Sequence, residues 1–247
     1  MVMYRFSRPA RIAAGGFAVA VIVIVSIARA AAPPASTQPS SQPVDWFAMS
    51  PDEFAQCADA NRELPWEGIE DELMSAAILH ETNRYRVAHG LPAMRHMPKV
   101  DEVAAMHADD MSAGGWFGHD NPDDPKKRTV LDRAKLLGLR PMFVAENLVI
   151  EYGIRYAPGR KVYETRRRGH DGLSYRPNGE LIPRHTYHSF ARQVVGRWID
   201  SPHHRENIES KYPKFMGGIA RPGRSEDEVR FQKYYVAQVF FTPMPAR

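Results

Sequence analysis

The chain has a single cysteine, Cys57, in 247 residues, so no intrachain disulfide is possible. Small exported folds often depend on such bridges, but a folded part of about 175 residues can bury a sufficient core without them. The lone thiol leaves only pairing between chains, and it does not stand in a small-residue lipobox behind an export signal. A G-x-S-x-G elbow, an H-E-x-x-H pair and a phosphate-binding loop are all missing, which removes the standard motif-borne hydrolases and nucleotide enzymes. An excess of positive charge is missing too, once the first 30 residues are set aside. They hold four arginines and no acid, so of 33 basic residues 29 remain against 29 acids. The alkaline isoelectric point belongs to the N-terminus, and no nucleic-acid partner is expected.

What the N-terminus does have is an export pattern. Arg5, Arg8 and Arg11 precede an apolar run from Ile12 to Ala28, and Ala28-Arg29-Ala30 supplies small residues at a cleavage site. Residues 1–30 therefore read as a signal peptide, with an uncleaved N-terminal anchor as the alternative, since about 17 uncharged residues is the lower limit for spanning. The expected location is secreted, periplasmic or at the cell surface, with membrane contact only through that segment if it is retained. Residues 31–45, AAPPASTQPSSQPVD, read as a disordered tether.

Aromatic residues return at Trp46, Phe47, Phe54 and Trp66, around a Ser50-Pro51-Asp52-Glu53 helix start with its capping acid. Residues 46–69 are expected to form a short pre-domain packed on the rest. Three helices follow in the main domain, 70–243. The first runs from about Glu70 to His89, with Met74, Ala77, Ile78 and Tyr85 on one stripe, and ends at Gly90. A second spans Pro98 to Ala113, carries Val100, Val103, Ala104, His107, Ala108 and Met111 at three- and four-residue steps, and stops at Gly114-Gly115. A third is capped by Ser189, buries Phe190, Ala191, Val194, Val195, Trp198 and Ile199, and closes at Ser201-Pro202. Phe215–Ala220 and Val229–Phe241 read as strands joined by a polar turn. Helices followed by a hairpin indicate an α+β layered fold. Segment 151–188 has no sustained period, a local charge of +4 and the run Arg166-Arg167-Arg168; it reads as a surface insertion.

Four stretches resemble a bacterial CAP (SCP/PR-1-like) domain. Asn83-Arg84-Tyr85-Arg86 with His89-Gly90-Leu91-Pro92 is similar to the family's first-helix motif. His107-Ala108-Asp109-Asp110-Met111, leading to Gly115-Trp116-Phe117-Gly118-His119, resembles its second helix and F-x-H turn. Ala145-Glu146-Asn147 resembles the GEN box with Ala for Gly, and Trp198 to Ile208 resembles the W-m-x-S-p-g-H-r-x-N-i box. Phe215 to Ile219 and Val236 to Phe240 fit the closing strands. The resemblance implies a three-layer α-β-α sandwich with a central antiparallel sheet, and an open cleft lined by His119, Glu146 and His204.

Two imidazoles and a carboxylate suit three tasks: holding a divalent metal such as zinc, passing protons, or hydrogen-bonding one another to hold the cleft walls. Spacings of 27 and 58 residues between them do not discriminate. Ser201 stands where the resemblance implies a second Glu in many eukaryotic relatives, so the implied metal set is incomplete and a weaker site is expected. Ser201 near His204 is no nucleophile pair; it is expected to cap the helix that follows. Asn147 is expected to fix the cleft loop through backbone bonds, and Asn83 to tie the first helix to the sheet. His107 reads as a core histidine, while His203 stands beside His204 at a helix start. His170, His185, His188 and Glu164 would add a ligand only if the insertion folds over the cleft.

Function is accordingly expected to be ligand binding outside the cytoplasm, with a lipid, glycan or protein as the ligand, as the resemblance implies. A metal-dependent hydrolase built on His119, Glu146 and His204 is the second reading. The third is an envelope interaction protein that turns its basic insertion to acidic polymers or lipids.

Overall fold

The computed structural model describes residues 44–167 and 170–245. The export segment and tether expected at 1–30 and 31–45 lie outside the described residues, except for 44 and 45. Residues 43–247 form one compact unit.

Helix α1 (Pro51–Gln56) opens with the expected capping box, in which Ser50 and Glu53 satisfy each other's backbone N–H. Phe54, Ala60 and Leu64 from this region are fully buried in the main core, so the pre-domain is part of the fold. Helix α2 (Asp71–Ala88) and helix α3 (Pro98–Gly114) fall where the apolar stripes place them. Their ends are chemical: Gly90 and Gly115 adopt φ of 69° and 65°, a left-handed conformation that glycine reaches without a Cβ clash. Between them lies a two-residue strand, β1 (Arg95–His96).

Helix α4 (Val130–Leu136) is capped by Thr129 and Asp132, and leads into strand β2 (Pro141–Tyr152). Strands β3 (Tyr163–Arg167) and β4 (His170–Ser174) make a separate hairpin. Helices α5 (Tyr187–Asp200) and α6 (Pro202–Glu209), strand β5 (Phe215–Pro222), helix α7 (Glu226–Phe231) and strand β6 (Lys233–Pro243) complete the chain.

The sheet order is β1-β5-β6-β2. Pairing is antiparallel except for β1, which joins β5 in parallel, so the sheet is mixed at one edge. Because alternate residues face opposite ways, β6 divides cleanly. Tyr234, Val236 and Phe240 pack with α2 and α5, while Tyr235, Ala237, Val239 and Phe241 pack with α3 and α4. The result is the expected three-layer sandwich. Two glycines on β5 let both helix layers close on the strand. A Cβ on Gly217 would meet Asp101 Oδ1 of α3 at 2.3 Å, and one on Gly218 would meet Ile78 of α2 at 2.9 Å.

Several expectations are corrected. The strand expected from Val229 begins only at Lys233, because Ser225 and Glu228 cap a short helix and Gln232, at φ 49°, ends it. Thr186, not Ser189, is the N-cap of α5; Ser189 sits three residues in and completes the box. The insertion is not irregular throughout: it holds the β3–β4 hairpin and a small core of Ile154, Leu173 and Ile182. Ser201 occupies the N-cap position of α6, but its side chain makes no cap bond.

Candidate functional site

The site forms on β2, the edge strand of the sheet, between residues of α3 and α4 on one face and of α6 on the other. Adjacent residues on β2 point to opposite faces, so Glu146 turns towards α3 and α4 while Asn147 turns towards α2 and α6. Each builds one wall.

On the first wall Glu146 is buried, with 2% of its side chain exposed. Its Oε1 accepts a 2.6 Å bond from Arg133 Nη2 of α4, and the Arg133 side chain is fully buried. Its Oε2 accepts from His119 Nδ1 at 3.0 Å. His107 Nε2 of α3 is 3.7 Å from the same oxygen and donates to the Gly118 carbonyl at 2.8 Å. Arg133 also donates from Nη1 to the carbonyls of Lys127 and Arg128, at 2.9 and 3.1 Å, and more distantly to His119 at 3.4 Å. A single guanidinium therefore holds both the cleft carboxylate and the loop that carries His119.

His119 differs from its supports, with 58% of its side chain exposed. The hydrogen bond it donates to Glu146 raises its pKa above the ordinary imidazole value, against a smaller opposing effect of burial. In His107 burial is the largest influence and lowers the pKa, so that ring stays neutral as the expected core histidine.

The second wall is the start of α6. Asn147 Nδ2 donates to the His204 carbonyl and to Gln238 Oε1, both at 3.1 Å. Asn207 Nδ2 donates to Asn147 Oδ1 at 2.9 Å and to the Glu146 carbonyl at 3.4 Å. Gln238 Nε2 continues the chain to Thr82 Oγ1 of α2 at 2.9 Å. This amide ladder fixes α6 against β2 and so presents His204, which is half-buried. Burial lowers the His204 pKa first, and the nearby charges of His119 and His203 lower it further. The two cleft imidazoles are thus pushed apart in basicity.

Of the residues singled out in the sequence, His119 bonds Glu146 directly, Asn147 holds the His204 backbone, and Ser201 stands at the start of α6. Other candidates do not join them. His203 is 95% exposed and lies 3.9 Å from Glu206. His185 bonds Ser189 Oγ at 3.0 Å, and His188 reaches Glu81 on α2 at 2.9 Å. Glu164 is exposed on β3, and the His170 side chain lies outside the described residues. Asn83 bonds the Met94 backbone through both its amide atoms, at 2.8 Å each, tying α2 to the residue before β1.

Arg133 and the first-wall role of His107 were not foreseen. An arginine in a helix of seven residues carries no period to mark it as buried; the only sequence trace is the Thr129…Asp132 capping box in front of it.

A metal fits this arrangement poorly. Both Glu146 oxygens are already taken, one by a buried guanidinium, which a second cation would have to displace. Among the described residues no group of three or more His, Cys, Asp or Glu side chains is placed to hold a metal ion. In this geometry Glu146 orients His119 and is not an open ligand.

The profile of the cysteine-rich secretory protein family, CAP, matches residues 79–240. No curated protein matches the sequence. Matching solved structures include an extracellular SCP-domain protein from Bacillus anthracis (20% identity, TM-score 0.44), which covers 68% of this chain and 40% of its own length. An outer surface protein from Borrelia burgdorferi (14%, 0.47) covers 71% of this chain and 97% of its own. A cysteine-rich secretory protein from Staphylococcus aureus (12%, 0.41) covers 72% and 40%. The chain thus spans 40% of the length of the Bacillus and Staphylococcus proteins.

Proposed function

The chain belongs to the CAP, or cysteine-rich secretory protein, family, and from that premise we propose that it is an exported, non-enzymatic ligand-binding module. Its ligand is a lipid, glycan or protein that places an oxygen-bearing polar group between His119 and His204. One observation carries this reading: Glu146 holds His119 Nδ1 from beneath, while more than half of the ring stays open to solvent. A half-exposed imidazole is ordinarily free to rotate; here its orientation is fixed before any ligand arrives, which lowers the ordering cost of binding. The raised His119 supplies an N–H donor and the lowered His204 a neutral ring, so together they offer both halves of a hydrogen-bonding pair. Phe117, two residues before His119 and 51% exposed, adds apolar surface nearby. The Arg5–Ala30 pattern supports export.

Metal-dependent hydrolysis finds less support, because the carboxylate it would need as ligand or base is engaged by Arg133 and His119. The test is retention of ligand by the folded full-length protein on lipid and glycan arrays and in native mass spectrometry. His119→Ala and His204→Ala should each abolish retention. A ligand retained equally by both variants would place binding elsewhere, and no retained ligand of any class would remove the reading.

A further inference from the structure

The loop after β2 and the hairpin beyond it carry four exposed cations, Arg155, Arg160, Lys161 and Arg176. None is paired with a carboxylate among the described residues. Exposed arginines and lysines are usually loose, but the side chains of Arg160 and Lys161 are built into a frame, and the Arg155 backbone is tied to it. The Arg160 guanidinium lies over the Tyr175 ring, 3.8 Å from its centroid, and Lys161 Nζ lies 5.0 Å from that of Tyr163. Tyr175 in turn staples the loop to the hairpin, since its hydroxyl accepts from the Ala157 N–H at 2.7 Å and donates to the Arg155 carbonyl at 3.3 Å. The Tyr156 hydroxyl donates to the Arg160 carbonyl at 3.1 Å, and the Arg155 N–H donates to the Pro183 carbonyl at 2.8 Å.

A guanidinium held flat on an aromatic face keeps its N–H edge free for a planar or tetrahedral oxyanion and loses less entropy on binding one. The acids do not cancel this field. Glu151 is paired with Arg197 at 2.9 Å, and among the described side chains between 153 and 181 the exposed acids are Glu164 and Glu180. The large apolar side chains exposed elsewhere on the protein, such as Phe117, Met142 and Val229, have no counterpart among the described residues between 155 and 181. With nothing apolar to insert, the surface suits a soluble chain of charges better than a bilayer interior.

We propose that Arg155, Arg160, Lys161 and Arg176 form a docking surface for a polyanionic polymer, gripping its phosphate or carboxylate groups. The surface is independent of the His119–Glu146–His204 cleft and would hold the protein on an anionic matrix.

The test uses the full-length protein with two soluble probes of matched charge, inorganic polyphosphate and polygalacturonate, and with vesicles of anionic phospholipid. The variant carries Arg155→Gln, Arg160→Gln, Lys161→Gln and Arg176→Gln. A control carries Lys126→Gln, Lys135→Gln, Arg140→Gln and Lys211→Gln, which removes the same charge from other exposed positions. Circular dichroism first checks that both stay folded, and Arg160→Gln alone replaces the fourfold variant if it does not. Binding of either polymer should weaken at least tenfold in the variant and by less than twofold in the control. The slope of log affinity against log salt should fall by roughly three, at 0.7–0.9 per lost contact. Preference for one probe identifies the oxyanion. Equal weakening in variant and control, no binding of either polymer, or arm-dependent binding to vesicles alone would each overturn the proposal.

Discussion

Arg133 and Glu146 meet at 2.6 Å with 0% and 2% of their side chains exposed, and this ion pair supports the whole first wall of the cleft. The carboxylate is thereby occupied from below, and His119 is held from its other oxygen. A group that reads in the sequence as an open cleft acid is in the fold a fixed support.

Breaking this pair from one side leaves a buried charge without its partner. Arg133→Met should cost about 3–5 kcal/mol in urea unfolding. Adding Glu146→Leu should recover part of that loss, so the double variant is expected to be more stable than the sum of the single losses.

The two strand glycines should not tolerate a methyl group equally. Gly217→Ala drives a Cβ into Asp101, including its backbone N at 2.5 Å, whereas the three atoms nearest a Cβ on Gly218 all belong to the Ile78 side chain. Thermal melts should show a loss of about 1–3 kcal/mol or more for Gly217→Ala and a smaller one for Gly218→Ala.

Helix starts separate the two cap positions. Thr186 accepts the Ser189 N–H, so Thr186→Ala should cost about 1 kcal/mol. Ser201 makes no such bond, and Ser201→Ala should stay within about 0.5 kcal/mol of the parent in the same unfolding assay.

Acid should weaken the fold through a histidine outside the cleft. Burial, with help from Arg155, pushes the His185 pKa down to about 4. Its folded pKa lies below the unfolded value of about 6.5, so its contribution is complete above pH 6.5 and is lost as the pH falls towards 4. By pH 5 the loss reaches roughly 2 kcal/mol. His185→Gln should flatten the stability curve across that window, as read by denaturant midpoints at each pH.

The long helices were legible because their apolar residues recur with the helical period and their ends are marked by Gly90 and Gly115, whose positive φ has a plain steric cause. The family itself was legible through the order of the motifs that contain His119, Glu146, Asn147 and His204. Other elements hid for physical reasons. Strand β2 carries Glu146 and Asn147 in its middle and Glu151 near its end, so its polar residues mask the alternation. Val229 sits in a run rich in Tyr, Phe and Val, yet a local Ser225–Glu228 cap makes it helical. Arg133 looks like any surface arginine until a buried carboxylate from another element is placed against it. The hairpin β3–β4 has only a small core of its own, too few apolar residues to announce a pattern.

The central claim is that a fixed His119 and a less basic His204 face each other across the cleft. Histidine NMR titration of the full-length protein tests it most directly. The account predicts that His119 titrates above the ordinary value of about 6.5 and His204 below it, with His119→Ala moving His204 part of the way back up. Two rings titrating together at the ordinary value, with His204 indifferent to the loss of His119, would contradict it.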